Sequence, residues 1–124
     1  MSSEPSSPPG PHSTADVDLT LKSCQPCAKG TPALSEPRAR ERLQNLPGWE
    51  LNLTASEIAK TYTFKNYHET MAFVNATAWI SHHEDHHPDL EVGYNRCRVT
   101  YSTHSVGGLS ENDFICAAKV ERLG

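Results

Sequence analysis

Positive charge is scarce in this chain. Its 124 residues carry 11 Lys and Arg against 15 Asp and Glu, a formal net charge of -4. The basic residues are spread thinly, so there is no stripe of the kind that binding to a phosphate backbone requires. Nucleic acid is therefore not expected as a direct partner. Long apolar runs are also missing. Residues 1–18 are rich in Ser and Pro, which reads as neither a secretory signal nor a membrane segment, and a cytoplasmic protein is expected. Four cysteines, Cys24, Cys27, Cys97 and Cys116, are too few and too unevenly placed for a secreted disulfide framework, so reduced thiols are expected. The Cys24-Gln25-Pro26-Cys27 run has redox or zinc spacing. Zinc would want a second close pair, and a thioredoxin-like motif would need a strand before it and a helix after it. Neither accompanies it, and the pair reads as part of a solvated arm.

The length allows one domain with a core that stands without staples. Prolines at 5, 8, 9, 11, 26 and 32 and little periodic apolar content mark 1–33 as a disordered or loosely attached arm, leaving 34–124 as the folded unit. Ala39, Leu43 and Leu46 form a helical stripe, with Ser35 as N-cap and Pro47-Gly48 as the stop. A hairpin follows, from a short strand within 49–53 and a longer one over 57–64. Asn66 and Glu69 then read as a capping-box variant opening a second helix. The wide apolar face of that helix comprises Met71, Val74, Ala78, Phe73, Ala76 and Ile80. Pro88 disfavours helical geometry at the preceding residue, so this helix ends inside 82–87. Leu90, Val92 and Tyr94, then Cys97, Val99 and Tyr101, alternate as a second hairpin turning at 94–96. His104 falls on the polar parity of its last strand if the alternation persists. Ser110 caps a final helix, with Asp113 three residues on and a Leu109 to Phe114 staple. The order α-β-β-α-β-β-α predicts an α+β fold, a four-stranded antiparallel sheet with three helices on one face.

The densest chemistry is His82-His83-Glu84-Asp85-His86-His87, followed by Pro88, which holds four of the seven histidines. Imidazole is both the commonest transition-metal ligand and the side chain best suited to exchange protons near neutral pH. A solvated helix end is the plainest reading of any one of these residues. A metal reading has a motif behind it, because His83-Glu84-Asp85-His86-His87 spells H-E-x-x-H. Pro88, however, ends the helix on the last ligand of that motif, and a domain of this size has little room for a peptide cleft. No metal is expected.

A third reading uses a longer spacing: His82, His86-His87-Pro88, Tyr94, His104 and Asp113, seven constrained positions over 32 residues. This spacing resembles the signature of the pterin-4a-carbinolamine dehydratases. Leu46-Pro47-Gly48-Trp49, Ser102-Thr103-His104 and Gly108-Leu109-Ser110-Glu111 are similar to the family as well. The resemblance implies removal of water from 4a-hydroxytetrahydropterin to give quinonoid dihydropterin, in support of an aromatic amino acid hydroxylase such as phenylalanine hydroxylase. It implies no metal and no organic cofactor. It makes His86 and His104 the acid and base, in an order left open, with His87 holding the pterin. Trp49 matches a family tryptophan near the pocket, and a core aromatic at the start of a strand is the rival reading. Asp113 can orient a catalytic histidine and cap the last helix at once. His82 stands where many relatives carry an acidic residue. His83 and His68 are expected at the surface, and His12 in the arm. A homodimer with joined sheets is expected, a tetramer remaining open, and a protein-binding role without catalysis is the alternative from another class.

Overall fold

The computed structural model describes residues 18–28 and 30–123. Helix α1 (Glu36–Leu43) starts at Ser35, whose hydroxyl accepts the Arg38 N–H at 3.4 Å. Ala39 and Leu46 are buried and Leu43 is partly so, as the stripe requires. The chain then reverses at Gly48, whose φ of +86° suits glycine. A Cβ there would also stand 2.8 Å from Lys60 Cε. Strands β1 (Glu50–Leu51) and β2 (Ile58–Thr63) form the first hairpin. Its loop is organised by Asn52, whose Oδ1 accepts the backbone N–H groups of Ser56 and Glu57.

Helix α2 (Tyr67–Glu84) begins at Asn66, which accepts the Glu69 N–H at 2.9 Å. Glu69 reaches back to the Lys65 N–H at 3.1 Å, one residue beyond a standard capping box. The buried face differs from the one expected. Phe73 and Ile80 are buried, but Ala78 is exposed, and Thr70, Thr77 and Glu84 complete the inward row. Threonine serves there because its methyl packs while its hydroxyl finds a carbonyl: Thr70 bonds Asn66 O and Tyr94 O, and Thr77 bonds Val74 O. The helix stops at Glu84, and Asp85 takes the left-handed conformation at φ 54°.

Strands β3 (Asp89–Val92) and β4 (Arg96–Tyr101) form the second hairpin, closed by Gly93 N–H to Arg96 O at 2.8 Å. The turn thus falls at 93–95 rather than 94–96, and Tyr94 is an exposed turn residue stacked on Tyr67. Strand order is β1-β2-β4-β3, antiparallel throughout. The register pairs Ile58 with Tyr101, Lys60 with Val99 and Tyr62 with Cys97 on the face the helices cover. Thr61 opposite Arg98 and Ala59 opposite Thr100 lie on the other face. Helix α3 (Glu111–Glu121) closes the core, with Phe114, Cys116, Ala117 and Val120 fully buried beside Leu109. Burial of side chains such as Leu109 and Phe114 stabilises by roughly 1.5–3 kcal/mol each. Element order, sheet and layering are those expected for the α+β class.

The arm behaves differently over its described part. Residues 1–17 lie outside the described residues. From Asp18 the chain runs against α3 with a single 3-10 turn, Leu19–Leu21, and Leu19 is buried in the main core. Arg122 reaches Asp18 and Thr20, Gln25 exchanges two hydrogen bonds with the Asn112 side chain, and the Cys24 N–H donates to Glu84 Oε1 at 2.9 Å. A stretch expected to be loosely attached is thus fixed at several points, by one apolar anchor and polar bonds that hydropathy does not register.

Candidate active site

The end of α2 and the start of α3 meet at one buried carboxylate. Asp113 has no exposed surface, and both of its oxygens are engaged. Oδ2 accepts the Ser110 N–H at 2.9 Å, which supplies the helix cap, and the Thr103 hydroxyl at 2.7 Å. Because the Thr103 proton is committed to the carboxylate, the Ser110 hydroxyl donates in turn to Thr103 Oγ1 at 2.7 Å. Oδ1 is left for His86, whose Nε2 lies 2.6 Å away. An ionised carboxylate only accepts, so His86 carries a proton on Nε2 and its neutral form presents Nδ1 as the free acceptor. The ring is held from its face too, stacked on Tyr101 at 5.8 Å and 12°.

Two further histidines arrive from different elements. His87 follows the left-handed break at Asp85. His104 opens a short 3-10 turn, His104–Val106, because β4 ends at Tyr101 and the Thr103–Gly108 bridge folds the chain back. The strand ends three residues before His104, yet burial goes on alternating through Ser102 and Thr103, so His104 shares its side with Thr100 and Ser102, as the parity predicted. With His86 these residues line a cleft of about 360 Å³ whose wall includes Asp89, Thr100 and Ser102. His87 and His104 are exposed to it, whereas His86 is mostly buried behind them.

The remaining expected site residues lie elsewhere. His82 is exposed on α2 and is not among the residues lining the cleft. Trp49 is buried, donates its indole N–H to Glu121 at 3.1 Å and packs on Tyr62 and Tyr101. Tyr101 stands between it and His86, so within this chain Trp49 is a core aromatic and not a wall of the cleft. The H-E-x-x-H residues part company. His83 stacks on Trp79 at 5.0 Å, Glu84 turns inward to Lys119 at 2.7 Å, and His87 faces the cleft. Among the described residues no three His, Cys, Asp or Glu are grouped to hold a metal ion. Burial pushes the Glu84 carboxyl up, but the Lys119 ammonium and the Cys24 N–H outweigh it and leave the group below the ordinary carboxylate range. Sequence reasoning missed the parts played by Thr103, Tyr101 and Glu84. Threonine directly before the second histidine was the available signal for Thr103.

The fold is thus an α+β domain in which three histidines line one cleft and a buried carboxylate behind it holds one of them. The comparisons with known proteins are more particular. A family model described as pterin 4 alpha carbinolamine dehydratase matches residues 32–123, and the chain belongs to that family. A protein of Nitrosospira multiformis named "Putative pterin-4-alpha-carbinolamine dehydratase" is 57% identical over 106 residues, 86% of this chain and 92% of its own. A namesake from Nitrosomonas eutropha is 58% identical over 107 residues, 86% of this chain and 93% of its own. Among solved structures, a transcriptional coactivator/pterin dehydratase from Brucella melitensis superposes with a TM-score of 0.70 at 32% identity, covering 73% of this chain and 97% of that one. A pterin dehydratase-like protein identified as a RuBisCO assembly factor in the alpha-carboxysome gives 0.54 at 25% identity, covering 61% and 88%. No helix among the described residues is long and apolar enough to cross a membrane.

Proposed function

We propose that the chain removes water from 4a-hydroxytetrahydropterin to give quinonoid dihydropterin, with His86, His87 and His104 as the working groups. The observation that carries this reading is the convergence of the three imidazoles on one cleft, one of them oriented by Asp113 at 2.6 Å. The reaction needs two proton movements around a flat heterocycle. A protonated imidazole gives its proton to the 4a-hydroxyl, which departs as water as the C4a–O bond breaks. A neutral imidazole takes a proton from a ring nitrogen, whose electrons form the new double bond. Either of His86 and His104 suits either task, and His87 holds the ring edge. Each positioned acid or base contributes about 10²–10⁴-fold. His82 and Trp49 act, on this reading, only in support of the site, and neither a metal nor an organic cofactor takes part.

The same reading makes the chain a cytoplasmic homodimer with joined sheets, open to a tetramer, that recycles the pterin of a phenylalanine hydroxylase or a similar enzyme. Strand β3 has a single neighbour, β4, and such an edge calls for a partner or protection. A purely protein-binding role is the other reading, favoured by two of the structural relatives, one named a coactivator and the other an assembly factor. It has no use for the buried His86–Asp113 pair.

The test is a stopped assay of 4a-hydroxytetrahydropterin dehydration with the wild type, the His86→Ala variant and chelator-treated wild type. Acceleration over the spontaneous reaction is expected for wild type with or without chelator, and a loss of about 10²-fold or more for the variant. A wild type no faster than the uncatalysed reaction would remove the enzyme reading. Tightly bound metal near one per chain, with activity lost on chelation, would remove the metal-free one.

A further inference from the structure

The arm brings a second reactive pair close to the site, and it is not the pair that the Cys-x-x-Cys spacing suggests. Cys24 Sγ lies 3.5 Å from Cys116 Sγ on α3. Cys27 is directed to the Asn112 amide, at 3.9 Å. The Cys24 backbone is held on both sides of its sulfur, by Glu84 through its own N–H and by Asn112 through Gln25. The approach of the two sulfurs therefore belongs to a fixed segment. We propose that Cys24 and Cys116 are a reversible dithiol–disulfide site that staples the N-terminal arm to α3, oxidised by a low-molecular-weight disulfide.

The roles of the two thiols follow from their surroundings. Cys24 is half-buried and lines a recess of about 240 Å³ together with Cys27, Glu84, His86 and Asn112, so a small disulfide can reach it. Its S–H points to the Asn112 carbonyl at 3.6 Å, which leaves its sulfur to accept from Cys116. Cys116 is fully buried, and the bond to Cys24, reinforced by burial, pushes its thiol up. Cys24 as thiolate is accordingly the attacking group. It attacks one sulfur of the small disulfide, forming a mixed disulfide and releasing one thiolate. Cys116 then gives up its proton and attacks the Cys24 sulfur, displacing the second thiolate. Two protein thiols are oxidised, the small disulfide is reduced to two thiols, and the two protons finish on them. The sulfurs close from 3.5 Å to the bonded distance of about 2.05 Å, a movement within reach of side-chain rotation.

The product would tie together residues 92 apart in sequence, and a loop of that length gives a large constraint on the unfolded chain. It would also fix the arm behind His86, since Cys116 lies one helical turn beyond Asp113.

The experiment incubates the full reduced chain with glutathione disulfide, alkylates it, counts free thiols in denaturant and maps cross-linked peptides by mass spectrometry. Four thiols should fall to two, with a Cys24–Cys116 peptide recovered and the melting midpoint raised by about 10 °C, all reversed by a small dithiol. The Cys27→Ala variant should behave alike, and Cys24→Ala should not close. A Cys24–Cys27 peptide in place of the expected one, four thiols persisting at equilibrium, or an unmoved melting midpoint would each overturn the proposal. None of these readouts depends on dehydratase activity.

Discussion

Replacing Asp113 with Asn separates its two duties. The carboxylate accepts three hydrogen bonds, from the Ser110 N–H, the Thr103 hydroxyl and His86 Nε2. The amide has one accepting oxygen and one donating nitrogen. If the oxygen faces Thr103 and Ser110, two donors are satisfied and the NH₂ faces His86. Nε2 must then become an acceptor, and the ring proton moves to Nδ1, the wrong tautomer for a ring that should offer Nδ1 to the cleft. The opposite flip sets an NH₂ against the buried Ser110 N–H, donor against donor, and costs more. The first flip exchanges one charge-assisted bond for a neutral one, and a loss of about 1–3 kcal/mol in stability follows. Turnover should fall by about 10²–10⁴-fold with the fold intact. Urea unfolding supplies the first figure, the dehydration assay the second, and ¹⁵N shifts of the imidazole report the tautomer directly. If Asp113→Asn keeps Nε2 protonated and turns over within threefold of wild type, Asp113 is a helix cap and nothing more.

His104 is exposed in the cleft, so His104→Ala should leave the melting midpoint nearly unchanged, as surface substitutions usually do, while turnover falls by about 10²-fold or more; a large loss of stability with full activity would contradict its assignment. Glu84→Gln should lower stability at pH 7 by about 1–3 kcal/mol, since Lys119 is partly exposed and the pair is only partly desolvated. The sign follows from the depressed carboxyl. Its contribution is full above the unfolded value of about 4.3 and disappears as pH falls through the lower folded value. Urea titrations at pH 7 and pH 3 should therefore show a gap between wild type and variant that narrows in acid, and a gap indifferent to pH would refute the ion-pair account.

Punctuation residues made most of the architecture legible. Pro88 bounds α2 through the conformation it denies to His87, although the stop itself is the left-handed Asp85, and Ser110 with Asp113 marks the start of α3 by a local bond that needs no tertiary context. The features that stayed hidden depend on what lies opposite. Thr70 and Thr77 are polar letters on the buried row of α2, acceptable only because carbonyls stand within reach. Leu19 sits in a short Val17-Asp18-Leu19-Thr20-Leu21 alternation too brief to announce itself, and its burial depends on α3, against which it runs. Trp49 carries the right residue type for a ligand wall, but only the fold shows that Tyr101 fills the space between it and His86. The convergence of His87 and His104 was approached through a spacing signature, whereas the chain reversal that delivers His104 comes from the Thr103–Gly108 bridge.

The double engagement of Asp113 also governs when the cleft can come into being. One carboxylate completes the first turn of α3 and fixes the edge of the His86 ring, so until that helix has docked the ring has only the Tyr101 face to hold it. In any species with α3 undocked, the Asp113 hold on His86 would be missing even if the strands were paired. The imidazole would then lock in the same event that shelters Phe114 and Val120. Time-resolved imidazole resonances would thus act as a clock for the docking of α3.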